Sequence, residues 1–368
     1  MPNINVTQLE QFAANLLIAG GATDEEANLT ATGLVAANLC GYDSHGVMRI
    51  PYYVGALKDG EVCSQAEWKI LRESESHIVV DANWGFGHVA AEHLVNKLVE
   101  KARTPGTGIG TMMQCGHIGR LGQYAEEIAA LGLVSMIMVN SHGAVHRVAP
   151  PGGKASRLAT NPICIGVPNG SGDSSEPLVL DFSTSATAEG KVRVKWIAGE
   201  PVPDGWLIDN EGRPTNDPSV LYESKPPGAI LPFGGPQAYK GFGLSLMIDI
   251  FCGALSGGLV SREKAESPKG NCVFMMIIDP AHFGGADHFA AEVKQLAELV
   301  RACPRGEGVD RLSRQLQLAV MRHAAGDVEQ KDVVHPGIVF REFFACRQRE
   351  QKVTVVVFRL GSDHADSR

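Results

Sequence analysis

Residues 77–139 contain five segments in succession: HIVVD (77–81), HVAAEHLVNKLVEKA (88–102), TGIGTMM (107–113), LGQYAEEIAAL (121–131) and LVSMIMV (133–139). The first, third and fifth segments are short and mostly apolar, which is typical of strands. The second and fourth have apolar residues at helical spacing. Strands that alternate with helices predict an α/β fold. Further strands are predicted at ICIGVP (163–168), PLVLDFS (177–183) and CVFMMIID (272–279).

The first 40 residues predict a hairpin of two helices. Thr7 with Glu10 and Thr23 with Glu26 match the capping-box pattern, in which a hydroxyl and a carboxylate satisfy free N–H groups at a helix start. Apolar residues follow at helical spacing, and Gly20 is a natural stop for the first helix. An N-terminal helical lobe is therefore expected before the α/β lobe.

Composition restricts the class of protein. The chain has 368 residues, of which 44% are hydrophobic and 20% are charged, as is ordinary for a globular protein. The net charge of -8 and the scattered basic residues argue against nucleic acid and against a membrane surface as partners. The N-terminus lacks a secretory-signal pattern, and the eight cysteines form no C-x-x-C pair. We therefore expect reduced thiols, a cytoplasmic location and no membrane span.

Two later segments carry their own expectations. GFGLSLMIDIFCGALS (241–256) is apolar around most of its circumference when drawn as a helix, which is typical of a buried helix. Residues 199–236 are rich in Pro and Gly and lose apolar periodicity, so we expect a long ordered loop or lid there.

A glycine run between the first predicted strand and helix resembles a dinucleotide fingerprint. Gly85, Gly87 and Ala90 have the G-x-G-x-x-A spacing of that motif. The next strand, however, ends in QCG (114–116), which offers no acidic side chain to hold a ribose hydroxyl. We therefore interpret the run as a tight turn where a helix packs on a strand.

Histidines suggest a metal site as an alternative. His142 and His146 are four residues apart, which places two imidazoles on one face of a helix, but the pair lacks the glutamate and third ligand of a zinc site. We predict no metal. A metal-dependent hydrolase or lyase that uses His117, His142 and His146 is kept as the alternative from another class of enzyme, and elemental analysis of the purified protein would identify it.

The segment GYDSHGVMRIPYYV (41–54) collects polar side chains between helix breakers, which is typical of a site-forming turn. Arg49 is the best candidate to bind a carboxylate, because a guanidinium forms two charge-assisted hydrogen bonds with it. His45 precedes Arg49 by four residues, so a helical turn would place both on one face. His117 lies between two glycines at a strand-to-helix junction, where an imidazole suits acid–base chemistry.

Two further positions suggest binding of an anionic group. Asp181 is followed by the hydroxyls of Ser183, Thr184 and Ser185, which suit a phosphate or a ribose, with a helix cap as the rival explanation. Lys240 lies at the start of a predicted helix, where a cation is unfavourable unless an anion joins it.

Seven motifs, in their order along the chain, resemble the type-2 malate/L-lactate dehydrogenase family, which includes ureidoglycolate, sulfolactate and diketogulonate-type oxidoreductases. They are DSHGVMRIP (43–51), GHIGRLGQYAE (116–126), RLATNPICIGVP (157–168), LVLDFSTSATAEGKV (178–192), PVPDGWLIDNEGRPTNDP (201–218), AYKGFGLSLMIDIFCGALSGG (238–258) and NCVFMMIIDP (271–280). The resemblance runs from about residue 7 to about residue 308. The segments around Arg157 and Leu207 are most similar to the bacterial hydroxycarboxylate dehydrogenase branch.

The resemblance implies an α/β, mixed-sheet, non-Rossmann NAD(P)-binding fold with an N-terminal helical lobe, usually in a homodimer whose partner chain helps to close the active site. Matched by motif, His45 and His117 are the two candidate acid/base histidines. Implied substrate contacts are Ser44, Arg49, Thr160 and Asn161, and implied cofactor contacts are Ser141, Asp181, Phe182, Ser183 and Lys240. The cofactor is NAD or NADP, because no residue that distinguishes their riboses can be identified.

The implied activity is hydride transfer between NAD(P) and a small 2-hydroxy acid/2-oxo acid pair, such as malate, lactate or a related hydroxycarboxylate. In reduction, Arg49 and Ser44 hold the carboxylate while His117, as imidazolium, protonates the oxygen; oxidation needs neutral imidazole. His45 is either the alternative donor or a residue that orients the substrate. The alternatives are an NAD(P)H-dependent reductase of a cyclic imine 2-carboxylate and a protein that binds nicotinamide without turnover.

The resemblance ends near Asp310. The family continues with a P-G-E turn and closing helices, whereas this chain becomes rich in Arg, Gln, His and Val and has no P-G-E there. A shifted reading frame would produce this change, and resequencing the coding DNA would test that hypothesis. We divide the chain into an N-terminal helical lobe with the substrate-binding turn (1–75), an α/β cofactor-binding and catalytic domain (76–309) and an atypical segment (310–368). This segment is expected to pack on the N-terminal lobe, with KVTVVVFRL (352–360) alternating like an edge strand.

Overall fold

The computed structural model describes residues 3–143, 146–170, 177–264 and 268–304, and beyond them three short strands at 332–335, 338–341 and 352–354. The rest of the atypical segment 310–368, and with it the reading-frame hypothesis, lies outside the described residues. The α-helices of the described chain are α1 (Val6–Ala19), α2 (Asp24–Leu39), α3 (Ile50–Lys58), α4 (Gly87–Ala102), α5 (Leu121–Ala130), α6 (Glu189–Ala198), α7 (Ala238–Asp249) and α8 (Ala286–Arg301).

The strands are β1 (Asn3–Asn5), β2 (Lys69–Glu73), β3 (His77–Asp81), β4 (Thr107–Cys115), β5 (Val134–Ser141), β6 (Pro162–Val167), β7 (Leu178–Ser183), β8 (Leu207–Ile208), β9 (Pro214–Thr215), β10 (Ala229–Ile230), β11 (Asn271–Ile278), β12 (Asp332–His335), β13 (Ile338–Arg341) and β14 (Lys352–Thr354). All strands predicted from the sequence between residues 77 and 279 are present.

A seven-stranded sheet forms the centre, in the order β2-β3-β4-β11-β5-β6-β7. Strands β3 and β4 are parallel, and the other neighbouring pairs are antiparallel. Because β11 lies antiparallel between β4 and β5, those two strands point the same way, and their carboxyl ends share one edge of the sheet. The mixed sheet confirms the predicted α/β fold and differs from the parallel sheet of a Rossmann domain.

The sheet is covered on both faces, and β11 shows how. Its Val273, Met275 and Ile277 belong to the core that contains α4 and α5 residues, whereas Cys272 and Phe274 belong to the core under α7. This alternation is the two-residue period of a strand with both faces in contact with helices.

The capping box at Thr23 is confirmed. The Glu26 N–H donates to Thr23 Oγ1 at 3.3 Å, and the Thr23 N–H donates to the Glu26 carboxylate at 2.9 Å. The same carboxylate accepts hydrogen bonds from the Ser64 hydroxyl at 2.6 Å and the Gln65 N–H at 2.7 Å. Buried Glu26 therefore caps α2 and also ties this helix to the segment that leads into β2.

The capping box at Thr7 is wrong. Helix α1 begins at Val6, and Asn5 caps it by accepting the Gln8 N–H at 3.3 Å. Asn is as good an N-cap as Thr, so a cap two residues earlier lengthens the helix without loss of a hydrogen bond. The helix ends at Ala19, next to the predicted stop at Gly20.

The predicted burial of residues 241–256 is also wrong for the single chain. Helix α7 is followed by a π-helical segment, Ile250–Ala254. The outer side of α7 and this segment is exposed: the exposed fraction is 63% for Tyr239, 51% for Met247 and 41% for Phe251. The inner side packs under the sheet through Ile248. Among the described residues, no helix combines the length and the apolarity that crossing a bilayer requires.

Residues 199–236 are more structured than the predicted loop. They contain β8, β9 and β10, which form a separate sheet in the order β10-β8-β9, and they enclose a small apolar cluster around Leu207, Val220 and Ile230.

Two observations concern the domain division. The boundary at residue 75 falls between paired strands β2 and β3, and β14 pairs antiparallel with β1, with Val353 opposite Ile4.

Candidate active site

Residues 41–50, the polar turn, are shaped by two 3₁₀ turns before α3. These turns are Asp43–His45 and Val47–Arg49, with Gly46 between them. Gly46 is required by close packing, because a Cβ there would lie 2.2 Å from Asn38 Oδ1. The same Asn38 oxygen accepts the Val47 N–H at 2.9 Å, so α2 fixes the turn.

The polar turn and His117 bring together four of the six residues that the sequence singles out as substrate and acid/base groups: Ser44, His45, Arg49 and His117. The rings of His45 and His117 stack with centroids 5.6 Å apart. Ser44 Oγ lies 3.0 Å from His45 Nδ1, and Arg49 Nε donates to Ser44 O at 2.8 Å. The terminal nitrogens of Arg49 have no carboxylate partner in the part of the chain that the structure describes. They are therefore available to an anionic ligand.

Tyr53, which the sequence analysis missed, holds His117. Its hydroxyl lies 2.8 Å from His117 Nδ1 and 3.3 Å from His117 O, and the Gly119 N–H lies 3.3 Å from the same Nδ1. When Nδ1 is unprotonated it accepts from both donors. When Nδ1 is protonated it donates to the Tyr53 oxygen, and the hydroxyl hydrogen turns to the carbonyl. Tyr53 can therefore hold either tautomer of neutral His117, and the tautomer with its hydrogen on Nδ1 leaves the Nε2 lone pair to accept a proton from a substrate.

Burial and positive charge keep both histidines neutral. Burial, and after it the charges of Arg49 and Arg120, lower the pKa of His45 to about 4. Burial and then Arg49 also lower the pKa of His117 well below its ordinary value. The chain without substrate therefore holds His117 as a base. A bound carboxylate would offset the Arg49 charge and make protonation of the imidazole easier.

The sheet edge beside His117 collects a second group of predicted residues. Ser141 ends β5 and pairs with Asn271, and Ser183 ends β7 and pairs with Pro162 at the start of β6. Asn271, also missed from the sequence, accepts the Ile118 N–H at 3.3 Å and donates to Asn140 O at 3.0 Å. It therefore joins the turn that carries His117 to the end of β5.

Thr160 and Asn161 reach this edge just before β6. Thr184 fastens them, since its N–H donates to Thr160 O at 3.0 Å and its hydroxyl donates to Asn161 O at 2.9 Å. Asn161 Nδ2 donates to Ser245 O of α7 at 3.0 Å. Asn161 Oδ1 is buried and has no hydrogen-bond partner among the described residues.

The predicted cofactor residues of β7 point to opposite faces of the sheet. Asp181 Oδ2 accepts the Gly122 N–H at 2.8 Å in the first turn of α5, so Asp181 acts there as a helix cap. Phe182 packs edge-on against Phe233 at 5.6 Å on the α7 side. Ser183 Oγ lies 3.0 Å from Ser185 Oγ. The structure therefore separates Asp181 from Phe182.

Lys240 lies in the first turn of α7, as predicted from its motif. Its side chain is exposed, and Nζ lies 6.0 Å from the ring centre of Tyr239. Gly241 beside it permits a close approach, because a Cβ there would lie 2.4 Å from Phe233 O. Lys240 is therefore on the same face of the sheet as Phe182, at the exposed surface of α7.

A buried ion pair, missed from the sequence, connects the polar turn to α5. Arg120 forms two hydrogen bonds with Glu126, at 3.1 and 2.7 Å, and its guanidinium lies 5.7 Å from the ring centre of Tyr42. Arg120 precedes α5, whose start Asp181 caps. The pair therefore links the polar turn with the β7 end of the sheet.

Two alternative motifs have structural explanations. A Cβ on Gly87 would lie 2.3 Å from both Gly116 O and His117 O, so the glycine run permits α4 to abut the turn after β4. His142 follows β5 outside any helix, and its Nδ1 lies 3.1 Å from Cys272 Sγ. Within the described ranges, no group of three or more His, Cys, Asp and Glu side chains is arranged to hold a metal.

Comparisons with known proteins identify the family. A family model described as malate/L-lactate dehydrogenase matches residues 4–315, ending close to Asp310. Hydroxycarboxylate dehydrogenase B of Escherichia coli K12 is 40% identical over 303 residues, which is 81% of each protein. The structure of a malate dehydrogenase from Pyrococcus horikoshii aligns with a TM-score of 0.74 and 32% identity, covering 86% of this chain and 88% of the other.

A third relative bears on the substrate. The structure of a Δ1-piperideine-2-carboxylate reductase from Pseudomonas syringae aligns with a TM-score of 0.75 and 31% identity, covering 87% of this chain and 92% of the other. The family match covers most of the chain, and curated relatives with similar sequences include dehydrogenases of lactate, malate, sulfolactate and hydroxycarboxylates. This chain therefore belongs to the malate/L-lactate dehydrogenase family, and it is an oxidoreductase that transfers a hydride between a nicotinamide cofactor and a small 2-hydroxy acid.

Proposed function

We propose that Arg49 and Ser44 bind the carboxylate of the 2-hydroxy or 2-oxo acid and that His117 exchanges the proton on the reacting oxygen. The observation that carries this proposal is the joint placement of Arg49, His45 and His117 around the polar turn. Arg49 Nε is already bonded to Ser44 O, which orients the guanidinium and leaves its terminal nitrogens for two parallel bonds to a carboxylate.

His117 is the acid/base group in this proposal. Tyr53 and the Gly119 N–H occupy the Nδ1 side, so Nε2 is the nitrogen left for the substrate oxygen. In oxidation of the hydroxy acid, neutral His117 carries its hydrogen on Nδ1, donates it in a hydrogen bond to the Tyr53 oxygen and accepts the hydroxyl proton at Nε2, while a bound nicotinamide would accept the hydride. In reduction, the imidazolium returns the proton to that oxygen, and the carboxylate near Arg49 makes this protonated state accessible.

His45 orients the substrate site in this proposal. Its Nδ1 is 3.0 Å from Ser44 Oγ, and its ring stacks on that of His117. A Cβ on Gly190 of α6 would lie 2.7 Å from Ser44 Cβ, so α6 packs closely on the other side of Ser44. Both contacts fix the serine hydroxyl beside Arg49.

The sheet edge fits a nicotinamide nucleotide. It offers the hydroxyls of Ser141, Thr160 and Ser183 and the unpartnered, buried Asn161 Oδ1, which suit the carboxamide and ribose groups. Phe182 offers a ring, and Lys240 offers a cation for phosphate. These residues, with Asp181, would hold the cofactor. An assay with NADH and NADPH distinguishes NAD from NADP as the cofactor.

We propose that a second copy of the chain covers α7. The exposed apolar residues of α7 and its π-helical extension form one stripe: Tyr239, Leu246, Met247, Ile250, Phe251 and Leu255. A stripe of this kind is typical of an interface between subunits. Light scattering should give the mass of a dimer, and Met247→Asp should reduce it to that of a monomer. A monomeric parent protein would contradict this part of the proposal.

The seven described cysteines are thiols, which is compatible with the expected cytoplasmic location.

The experiment that tests the proposed function is an assay of nicotinamide oxidation with NADH and NADPH against a panel of 2-oxo acids and cyclic imino 2-carboxylates. We expect turnover of a 2-oxo acid. Selective turnover of the cyclic imine, which the relationship to the Pseudomonas reductase makes the second candidate, would replace the substrate class. Binding of nucleotide without turnover of any panel member would contradict both candidates.

A further inference from the structure

His88 is a buried histidine that the proposed chemistry does not use. It is the second residue of α4 and is 4% exposed, and neither ring nitrogen has a hydrogen-bond partner among the described residues. Burial, with a smaller contribution from His45, lowers its pKa to about 4. A buried polar ring without partners costs stability, so an apolar side chain would serve better if filling space were the only requirement.

The ring of His88 fits between two glycines. A Cβ on Gly33 of α2 would lie 2.6 Å from His88 Cδ2, and a Cβ on Gly119 would lie 2.4 Å from His88 Nε2. Gly119 also has a φ of 76°, which disfavours other residues. The imidazole therefore fills the space that these two glycines leave between α2 and the turn after β4.

Gly119 is also the residue whose N–H lies 3.3 Å from His117 Nδ1. The backbone of Gly119 therefore contacts the His88 ring on one side and faces His117 Nδ1 with its N–H on the other. The ring of Tyr53, the other group that holds Nδ1, has its centroid 6.0 Å from that of His88. The carbonyls of Gly116 and His117 abut Gly87, the residue before His88. The first turn of α4 therefore contacts, on two sides, the turn after β4 that carries His117, which we call the His117 turn.

We propose that His88 is a positioning residue that acts through Gly119 and fixes the turn that carries His117. This inference rests on the proposed acid/base role of His117. The Gly119 N–H faces Nδ1 and opposes the hydrogen that the imidazolium carries there, so loosening Gly119 should raise the pKa of His117. Burial, Arg49, His45 and His88 itself lower the pKa of His117, and Tyr53 holds its Nδ1.

The expected kinetic effect is specific. In His88→Ala, kcat should fall roughly ten- to a hundredfold, because small displacements of a catalytic group have effects of this size, while KM for the oxo acid changes little. The acidic limb of kcat/KM for hydroxy acid oxidation should move to higher pH, because His117 becomes easier to protonate. His88→Gln, which retains a planar polar side chain, should fold and show a smaller shift in the same direction.

Two control variants separate positioning from packing. Leu98→Ala removes a fully buried side chain of the same helix away from the turn, and it should lower Tm without moving the pH limb. Gly33→Ala added to His88→Ala refills part of the space from the α2 side. This double variant should regain Tm but not kcat, because the methyl group added at position 33 does not contact Gly119.

The outcomes distinguish this inference from the proposed function. If the pH limb of His88→Ala and His88→Gln equals that of the parent protein, or if Gly33→Ala restores kcat together with Tm, His88 is a packing residue and the inference fails. His117→Gln is measured in the same assay. If His117→Gln retains the parent kcat, the proposed function itself fails, whatever the His88 variants do.

Discussion

The two halves of the candidate site differ in how completely a single chain builds them. The substrate side, formed by Ser44, His45, Arg49, Tyr53 and His117, is internally hydrogen-bonded, and elements on several sides hold it. The cofactor side, formed by Ser141, Asp181, Phe182, Ser183 and Lys240, is distributed over both faces of the sheet and ends at the exposed surface of α7. One chain therefore holds the proposed acid/base group on several sides, whereas the proposed nucleotide side ends at a surface that the described part of the chain leaves uncovered.

The physical reason lies in the neighbours of each half. The polar turn is packed between α2 and α6, and buried groups such as Tyr53 and His88 hold the His117 turn. Phe182 and Lys240 adjoin α7, whose apolar outer stripe no described part of the chain covers.

Removal of the acid/base group should have the largest effect. We expect His117→Gln to lower kcat roughly 10²–10⁴-fold, the usual contribution of a general acid or base, with KM for the nucleotide unchanged. His45→Gln should raise KM for the oxo acid more than it lowers kcat. His288→Gln, an exposed histidine of α8, is the matched control and should be fully active. Steady-state and single-turnover kinetics give these values, and a larger loss of kcat in His45→Gln would exchange the two roles.

Acid should loosen the substrate side before the cofactor side. The pKa of His88 is about 4 in the fold against an ordinary 6.5, so the unfolded chain binds its proton first as the pH falls. Stability from this group is complete above pH 6.5 and decreases by about 3 kcal/mol as the pH falls toward 4. Hydrogen exchange across this range should show α2 and the start of α4 losing protection before β6 and β7. Earlier loss of protection in β6 and β7 would show that acid does not loosen the substrate side first.

Loss of one hydroxyl should have a smaller effect. Tyr53→Phe removes the partner of His117 Nδ1 and should lower kcat roughly three- to tenfold, the value of one net hydrogen bond. The adjacent Tyr52→Phe removes a hydroxyl that does not contact His117 and should leave kcat unchanged. Equal effects of the two substitutions would show that the hydrogen bond to His117 is unimportant.

The smallest effect is expected at Asp181. Asp181→Asn weakens the cap of α5 and should reduce the free energy of unfolding by about 1 kcal/mol. It should also raise KM for the nucleotide a few-fold, as loss of a polar contact does, without changing KM for the oxo acid. Unchanged nucleotide KM with reduced Tm would leave Asp181 as a helix cap alone.

Local patterns in the sequence predicted the strands and helices of residues 77–139 because period-two and helical spacings are read within one element. They also predicted the meeting of His45, Arg49 and His117, through the resemblance of the motifs that contain them. The second capping box was found because it spans only four residues, whereas Asn5 took the place of Thr7 as the first cap because several residue types cap a helix equally well.

The parts that escaped prediction depend on contacts between distant segments. Tyr53 meets His117 across 64 positions of the chain, and nothing in IPYYV distinguishes this tyrosine from Tyr52. His88 packs against two glycines on other elements. The apolar circumference of residues 241–256 predicts burial of the outer face of α7, but it does not indicate whether the same chain or another copy provides the cover.

Recognition of the substrate carboxylate by Arg49 beside His117 is most directly tested by changing both charges together. The measurement is kcat/KM for a 2-oxo acid and for its uncharged amide, with the parent protein and with Arg49→Met. We predict that the parent prefers the acid roughly 10²–10³-fold, the usual value of a buried charge pair, and that Arg49→Met treats acid and amide alike. A variant that still prefers the acid as strongly as the parent protein would show that another group binds the carboxylate.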